Sequence, residues 1–193
     1  NNLKKSGQSL NKIGEAYLLS HQFKNALIFL LKGYVFRKEH EDKEGILESL
    51  NSLGEVYYYI DNFDKSYKYY KICINKSEIL KNDYFLATAL KNRGWLKFKT
   101  KKPISSVLKD LNKALNIAEK LKSKRLLLSC YDNLGDLYYF QNDFINALQY
   151  FENSKKIPNQ NISFISEKNM YEKVIPYDVI KNKNRILSID RTI

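Results

Sequence analysis

The chain has 193 residues, of which 44% are hydrophobic and 28% charged, and it carries a formal net charge of +12. That balance buries a core and keeps a wet surface, so a soluble globular fold is expected. No window approaches the ~18 uncharged apolar residues of a membrane-spanning helix, and the opening "NNLKKSGQSL" lacks the apolar run of a secretory leader, which points to the cytoplasm.

Helical periodicity begins near Leu3. Leu10, Ile13 and Tyr17 share one helix face; a polar break follows around His21, and Phe23, Leu27, Leu30 and Tyr34 form a second apolar set. Cys73 and Cys130 fall within apolar helical segments, without zinc-type spacing or disulfide density, and read as small core residues in a reducing compartment. The first pattern, "LNKIGEAYLLSHQFKNA" from Leu10, returns as "LNSLGEVYYYIDNFDKS" from Leu50, "LKNRGWLKFKTKKPISSV" from Leu90 and "YDNLGDLYYFQNDFINA" from Tyr131. Gly14, Gly54, Gly94 and Gly135 recur at intervals of 40, 40 and 41 residues, a period that means a solenoid of antiparallel helix pairs. Four hairpins are expected over residues 3–157.

Residues 158–193 break the rhythm, because Ile175 stands 40 residues after Gly135. Pro176 favours a helix start, and Val179, Asn182, Ile186, Ile189 and Ile193 alternate in steps of three and four, the spacing of a coiled-coil seam. Ile180 and Leu187 widen this stripe to that of an ordinary amphipathic helix. The segment is therefore expected to cap the fourth repeat, or to run on as a linker through which the chain dimerises. The absence of an initiator Met and the helical character of the final residues lead us to expect further domains in a longer protein.

Glycine in a helix interior costs about 1 kcal/mol relative to alanine, so its recurrence implies close helix contact. The small residues Ala26, Ser66 and Ala147, each 12 positions after a repeat glycine, are expected at that contact. Asp61 with Asn62, and Asn142 with Asp143, supply acceptors for the free N–H groups that open the second helix. The third repeat departs from the pattern, with Arg93 in a leucine position, Lys97 in a tyrosine position and one added residue in "TKKPISSV". The stems of Arg93 and Lys97 are expected to cover apolar neighbours while their charges reach water. The other reading makes this a specialised binding repeat, marked also by the single tryptophan, Trp95.

The succession Leu50, Leu53, Gly54, Tyr57, Ser66, Tyr70, repeated as Tyr131, Leu134, Gly135, Tyr138, Ala147, Phe151 with Ser154 in a last small position, resembles the tetratricopeptide repeat. The period is longer than the family's usual 34 residues, as in long-repeat members found in bacterial signalling proteins. The resemblance implies an all-α, right-handed superhelix that binds a protein or peptide on a concave surface lined by the first helix of each pair. It also implies a sensing or regulatory role within a larger signalling protein. On that surface, the positions flanking the core stripe at helical spacing are Asn11 and Glu15, Asn51 and Glu55, Lys91 and Trp95, and Asp132 and Asp136. The asparagines suit a peptide backbone and the carboxylates select positive charge. Tyr58, Phe98 and Tyr139, one turn onward, line apolar pockets or pack between hairpins.

The rival reading is a nucleic-acid binder using the basic third repeat, where ten Lys or Arg residues between Lys97 and Arg125 face only Asp110 and Glu119. The rest of the positive charge is spread along the chain, and the groove stripe holds more carboxylates than lysines, so a solvated face is favoured. Catalysis has no footing in the sequence. His21 and His40 fall in turns without a Cys, Ser or carboxylate partner, no phosphate-binding loop follows a strand, and no cofactor or metal is implied.

Overall fold

The computed structural model describes residues 2–158. They fold into eight helices: α1 (Asn2–Leu19), α2 (Phe23–Glu39), α3 (Lys43–Tyr59), α4 (Phe63–Ile79), α5 (Asp83–Lys99), α6 (Ile104–Lys120), α7 (Lys124–Phe140) and α8 (Phe144–Lys155). All eight lie within one compact unit that ends at Ile157. The expected seam of Val179, Asn182, Ile186, Ile189 and Ile193 lies outside the described residues, as do Ile180 and Leu187.

The first seven helices end in the same way. The seven connecting turns place His21, Glu41, Asp61, Lys81, Lys101, Lys122 and Asn142 in the left-handed region, with φ between 50° and 61°. At each turn the N–H of that residue bonds to the carbonyl three back, and the next N–H to the carbonyl five back, as in Asp61 to Tyr58 (3.1 Å) and Asn62 to Tyr57 (2.9 Å). This is the Schellman closure, which satisfies the carbonyls left free at a helix end and usually employs glycine. Here none of the seven is glycine. The residue that follows commonly opens the next helix: Asp42, Asn62, Asn82 and Asp143 each accept from the N–H three positions on, at 3.1–3.2 Å. Asn62 and Asp143 are thus caps as expected, whereas Asp61 and Asn142 are the left-handed residues beside them.

Within a hairpin the two helices meet at the repeat glycine. A side chain placed on Gly14, Gly54, Gly94 or Gly135 would run into Leu30, the Tyr70 ring, Leu111 or the Phe151 ring respectively. The close approach expected there is present, but a large residue of the second helix fills the vacant space. The small residues sit just before it: Ala26, Ser66 and Ala147 are buried, and Ser66 Oγ donates to the Gly54 carbonyl at 2.8 Å. Between hairpins, Leu47, Leu50, Leu86, Leu90, Ala114 and Leu126 belong to a central cluster that spans α3 to α7. A fully buried leucine of this kind contributes roughly 1.5–3 kcal/mol. Cys73 and Cys130 belong to the same cluster and are free thiols; burial pushes them up to about 12 and about 11, so both stay protonated and inert near neutrality.

The backbones of successive first helices, α1, α3, α5 and α7, approach one another closely, whereas those of successive second helices stand farther apart. The array therefore curves with its first helices on the inside, and the concave face is theirs. No helix among the described residues is long and apolar enough to cross a membrane.

Candidate functional site

The eight groove positions expected from the sequence fall on α1, α3, α5 and α7, the helices that line the concave face, but they are not equally available. Asn11 is 0% exposed and is removed from any partner's reach. Its Oδ1 accepts from Ser49 Oγ at 2.9 Å, and Ser49 in turn accepts from Arg37 Nη1 at 2.9 Å. Arg37, itself 2% exposed, also donates to the Gly45 carbonyl at 2.7 Å and pairs with Glu48. This polar knot fixes the first hairpin to α3; Asn11 belongs to that joint.

Asn51 and Trp95 bridge adjacent hairpins. Asn92 Nδ2 donates to Asn51 Oδ1 at 3.0 Å, and Trp95 Nε1 donates to the Tyr58 hydroxyl at 3.1 Å. Asp132 accepts from Ser154 Oγ of α8 at 2.7 Å. All three remain partly exposed; Asn51 keeps further hydrogen-bonding capacity toward the groove, whereas the one indole donor of Trp95 is spent on Tyr58 and leaves its ring face to offer.

Glu15, Glu55, Lys91 and Asp136 form an electrostatic group. Burial raises the Glu15 pKa; the hydrogen bond from Ser52 (3.0 Å) opposes the rise and the Glu48 charge adds to it. Glu55 is also raised by burial, with Lys91 opposing and Glu15 reinforcing. Burial lowers Lys91, against the pull of Glu55. Asp136 is pushed from 3.8 to about 6, first by burial and then by Asp132. Glu15 thus acts on Glu55, Glu55 on Lys91, and Asp132 on both Lys91 and Asp136, so charges of four successive repeats are linked in a row. Among the described residues no ion pair within 4.0 Å joins Glu55 to Lys91; the two act on each other from farther apart.

Sequence reasoning missed Arg125. It stands in the first turn of α7, two turns before Asp132 and so on the same face of that helix, and its charge acts on Glu15, Glu55 and Lys91 together. The spacing of seven from Arg125 to Asp132 is the signal that could have found it.

The third repeat corrects another expectation. The charges of Arg93 and Lys97 turn onto a carboxylate instead of out to water: Arg93 holds Asp110 in a two-pronged bond at 2.7 and 2.8 Å, and Lys97 Nζ lies 2.8 Å from the same carboxylate. Burial by itself would raise Asp110, but the hydrogen bonds from Arg93 and Lys97 outweigh it and hold the carboxyl below the ordinary aspartate value. Lys113 pairs with Glu78 at 3.0 Å. Two of the cations that suggested a phosphate track, Lys97 and Lys113, are therefore engaged within the protein. Among the described residues no group of three or more His, Cys, Asp or Glu side chains is placed to hold a metal ion.

Residues 127–157 match the family model described as tetratricopeptide repeat. Among solved structures, BtubC from P. vanneervenii superposes with a TM-score of 0.63 at 18% identity, covering 81% of this chain and 68% of that one. PilF from Pseudomonas aeruginosa aligns over 83% of this chain and 80% of its own, at 16% identity and a TM-score of 0.46. The BtubC likeness is one of fold alone. No curated protein matches the chain.

Proposed function

Because the chain is built of tetratricopeptide-type repeats, a class that generally mediates protein–protein interaction, we propose that it is a protein-binding scaffold whose concave groove takes a peptide segment. The observation that carries this reading is the retention of Glu15, Glu55, Lys91 and Asp136 on one surface, where burial opposes the charge of every one of them. Charges held at such a cost suit a ligand that neutralises them. Along the groove the order is acid (Glu15, Glu55), base (Lys91, which feels the charge of Arg125), acid (Asp132, Asp136). The peptide that fits carries basic side chains toward both ends and an acidic or polar group between. A place as the sensing segment of a larger cytoplasmic signalling protein rests on the repeat family's resemblance alone.

The test uses an array of about 15-residue peptides, long enough to cross the groove, with titration calorimetry of the best binders. Peptides with separated basic residues are expected to bind, and the double variant Glu55→Gln, Asp136→Asn to weaken them at least tenfold with its helical circular dichroism retained. Equal affinity for wild type and variant would place the binding surface elsewhere.

A further inference from the structure

A second surface lies along the rim made by the turns inside the hairpins. The last residues of the first helices are Leu19, Tyr59, Lys99 and Phe140. Aromatic rings run along this rim from hairpin to hairpin: Phe23 stacks on Tyr59 at 5.8 Å, Trp95 lies 5.4 Å from Phe98, and Phe98 lies 5.7 Å from Phe140. Packing between hairpins accounts for the inner rings. It leaves Tyr59 47%, Phe140 46% and Ile145 85% exposed. The positions equivalent to Ile145 in the other hairpins are Lys24, Asp64 and Ser105, all exposed, so an apolar side chain there has no packing role within its own repeat.

Between these apolar ends stands the third repeat's turn. Lys99, Lys101 and Lys102 are exposed and stand in no ion pair among the described residues. This turn is also the irregular one. It has one residue more than the turns before and after it, and its helix opens at Pro103 without the side-chain cap that Asn62 and Asp143 supply in the neighbouring hairpins. An insertion that forgoes a cap and crowds three cations brings no gain in folding, and a local rule broken without structural return marks a functional position.

We propose that this rim is a docking edge for a protein segment of apolar–acidic–apolar character. Its carboxylates meet Lys99, Lys101 and Lys102. Its flanking apolar side chains seat on Tyr59 and Ile60 at one end and on Phe140, Phe144 and Ile145 at the other. Asp61 and Asp64, beside the second-repeat patch, confine the acidic part of the partner to the third repeat. The aliphatic members, Ile60 and Ile145, favour apolar side chains over nucleobases, which need flat rings with a free face. Three neighbouring first helices about 8–10 Å apart span about 20 Å, the length of a helix of about 13 residues.

The probe is a displayed library of random peptides of about 16 residues, enough for such a helix, selected on the wild-type chain and counter-selected on the variant Lys99→Glu, Lys101→Glu, Lys102→Glu. These side chains are exposed, so the variant is expected to keep its circular dichroism and melting. Peptides with acidic residues between apolar clusters are expected to survive. They should lose at least tenfold in affinity to the charge-reversed variant and at least threefold to Ile145→Ser, and bind Glu55→Gln as they bind wild type. Replacing their acidic residues by lysine should restore binding to the charge-reversed protein. Three results would overturn the proposal: no acidic–apolar peptide surviving counter-selection, survivors indifferent to Ile145→Ser, or an oligothymidylate that binds this rim while such peptides do not. None of the rim substitutions touches the groove, so failure here leaves the groove reading standing, and the reverse also holds.

Discussion

Asp136 makes a quantitative test of the groove. Its pKa is raised from 3.8 to about 6, by burial first and by the Asp132 carboxylate second. Between those values the folded chain keeps a proton that the unfolded chain has released. The native state binds more protons across that window, so this residue's contribution to stability falls as pH rises through it and is fully lost above the folded value. At 1.36 kcal/mol per tenfold, the difference amounts to about 3 kcal/mol near neutrality. This is an upper bound, because Asp136 retains some contact with water, which screens its charge. Asp136→Asn removes the charge and keeps the shape. Urea titrations of variant and wild type from about pH 4 to about pH 8 should show near-equal stability at the acid end. Toward neutrality the variant should gain about 1–3 kcal/mol, or about 3–9 °C in Tm for a chain of this size. A difference that is flat with pH, or a variant less stable at neutral pH, would refute the assignment.

Three further outcomes follow from the packing. Asp110→Ala strands the Arg93 and Lys97 cations and should cost about 3–5 kcal/mol by chemical denaturation, whereas replacing all three, as Arg93→Leu, Lys97→Tyr, Asp110→Ala, should come close to neutral. Lys81→Gly relieves a side chain held at positive φ and should raise unfolding free energy by about 0.5–1 kcal/mol. Gly54→Ala gains about 1 kcal/mol of helix propensity but drives a methyl into the Tyr70 ring, so a net loss of about 1 kcal/mol is expected, recovered when Tyr70 is shortened to leucine.

The helices and their antiparallel pairing were legible because leucines and tyrosines recur at helical spacing and the glycines keep time, but the buried face of α1 was misread: Ile13 is 41% exposed, while Asn11 and Leu18 are buried. The caps Asn62 and Asp143 were legible from residue type alone. The four first helices that line the groove were identified correctly, because a side chain four residues along shares a helix face. Which side of the core stripe stays open was not legible. Asn11 and Asn51 occupy equivalent positions, yet the first is sealed beneath α3 by Ser49 and Arg37 while the second lies at a partly open joint. That difference depends on the neighbouring hairpin's side chains and not on the position's own period. The Arg93, Lys97 and Asp110 cluster was hidden for a related reason. Its members lie on two helices, and a charge in an apolar slot reads as solvent-seeking until a buried partner is known. Arg125 was legible in principle, since it stands two helical turns before Asp132 on the same face.

The turns bear on how such an array can change. Their closure is made by backbone groups alone, so the residue at each tip is not specified by the joint it closes. His, Glu, Asp, Lys and Asn all occupy that tip in this one chain. Both rims can therefore be rewritten residue by residue while the helices behind them stay in register, and a hairpin can be duplicated or lost without redesigning its neighbours' ends. The left-handed strain at each tip, about 1 kcal/mol where glycine would relieve it, is the cost of keeping those sites open to a side chain, and hence to selection on what that side chain meets.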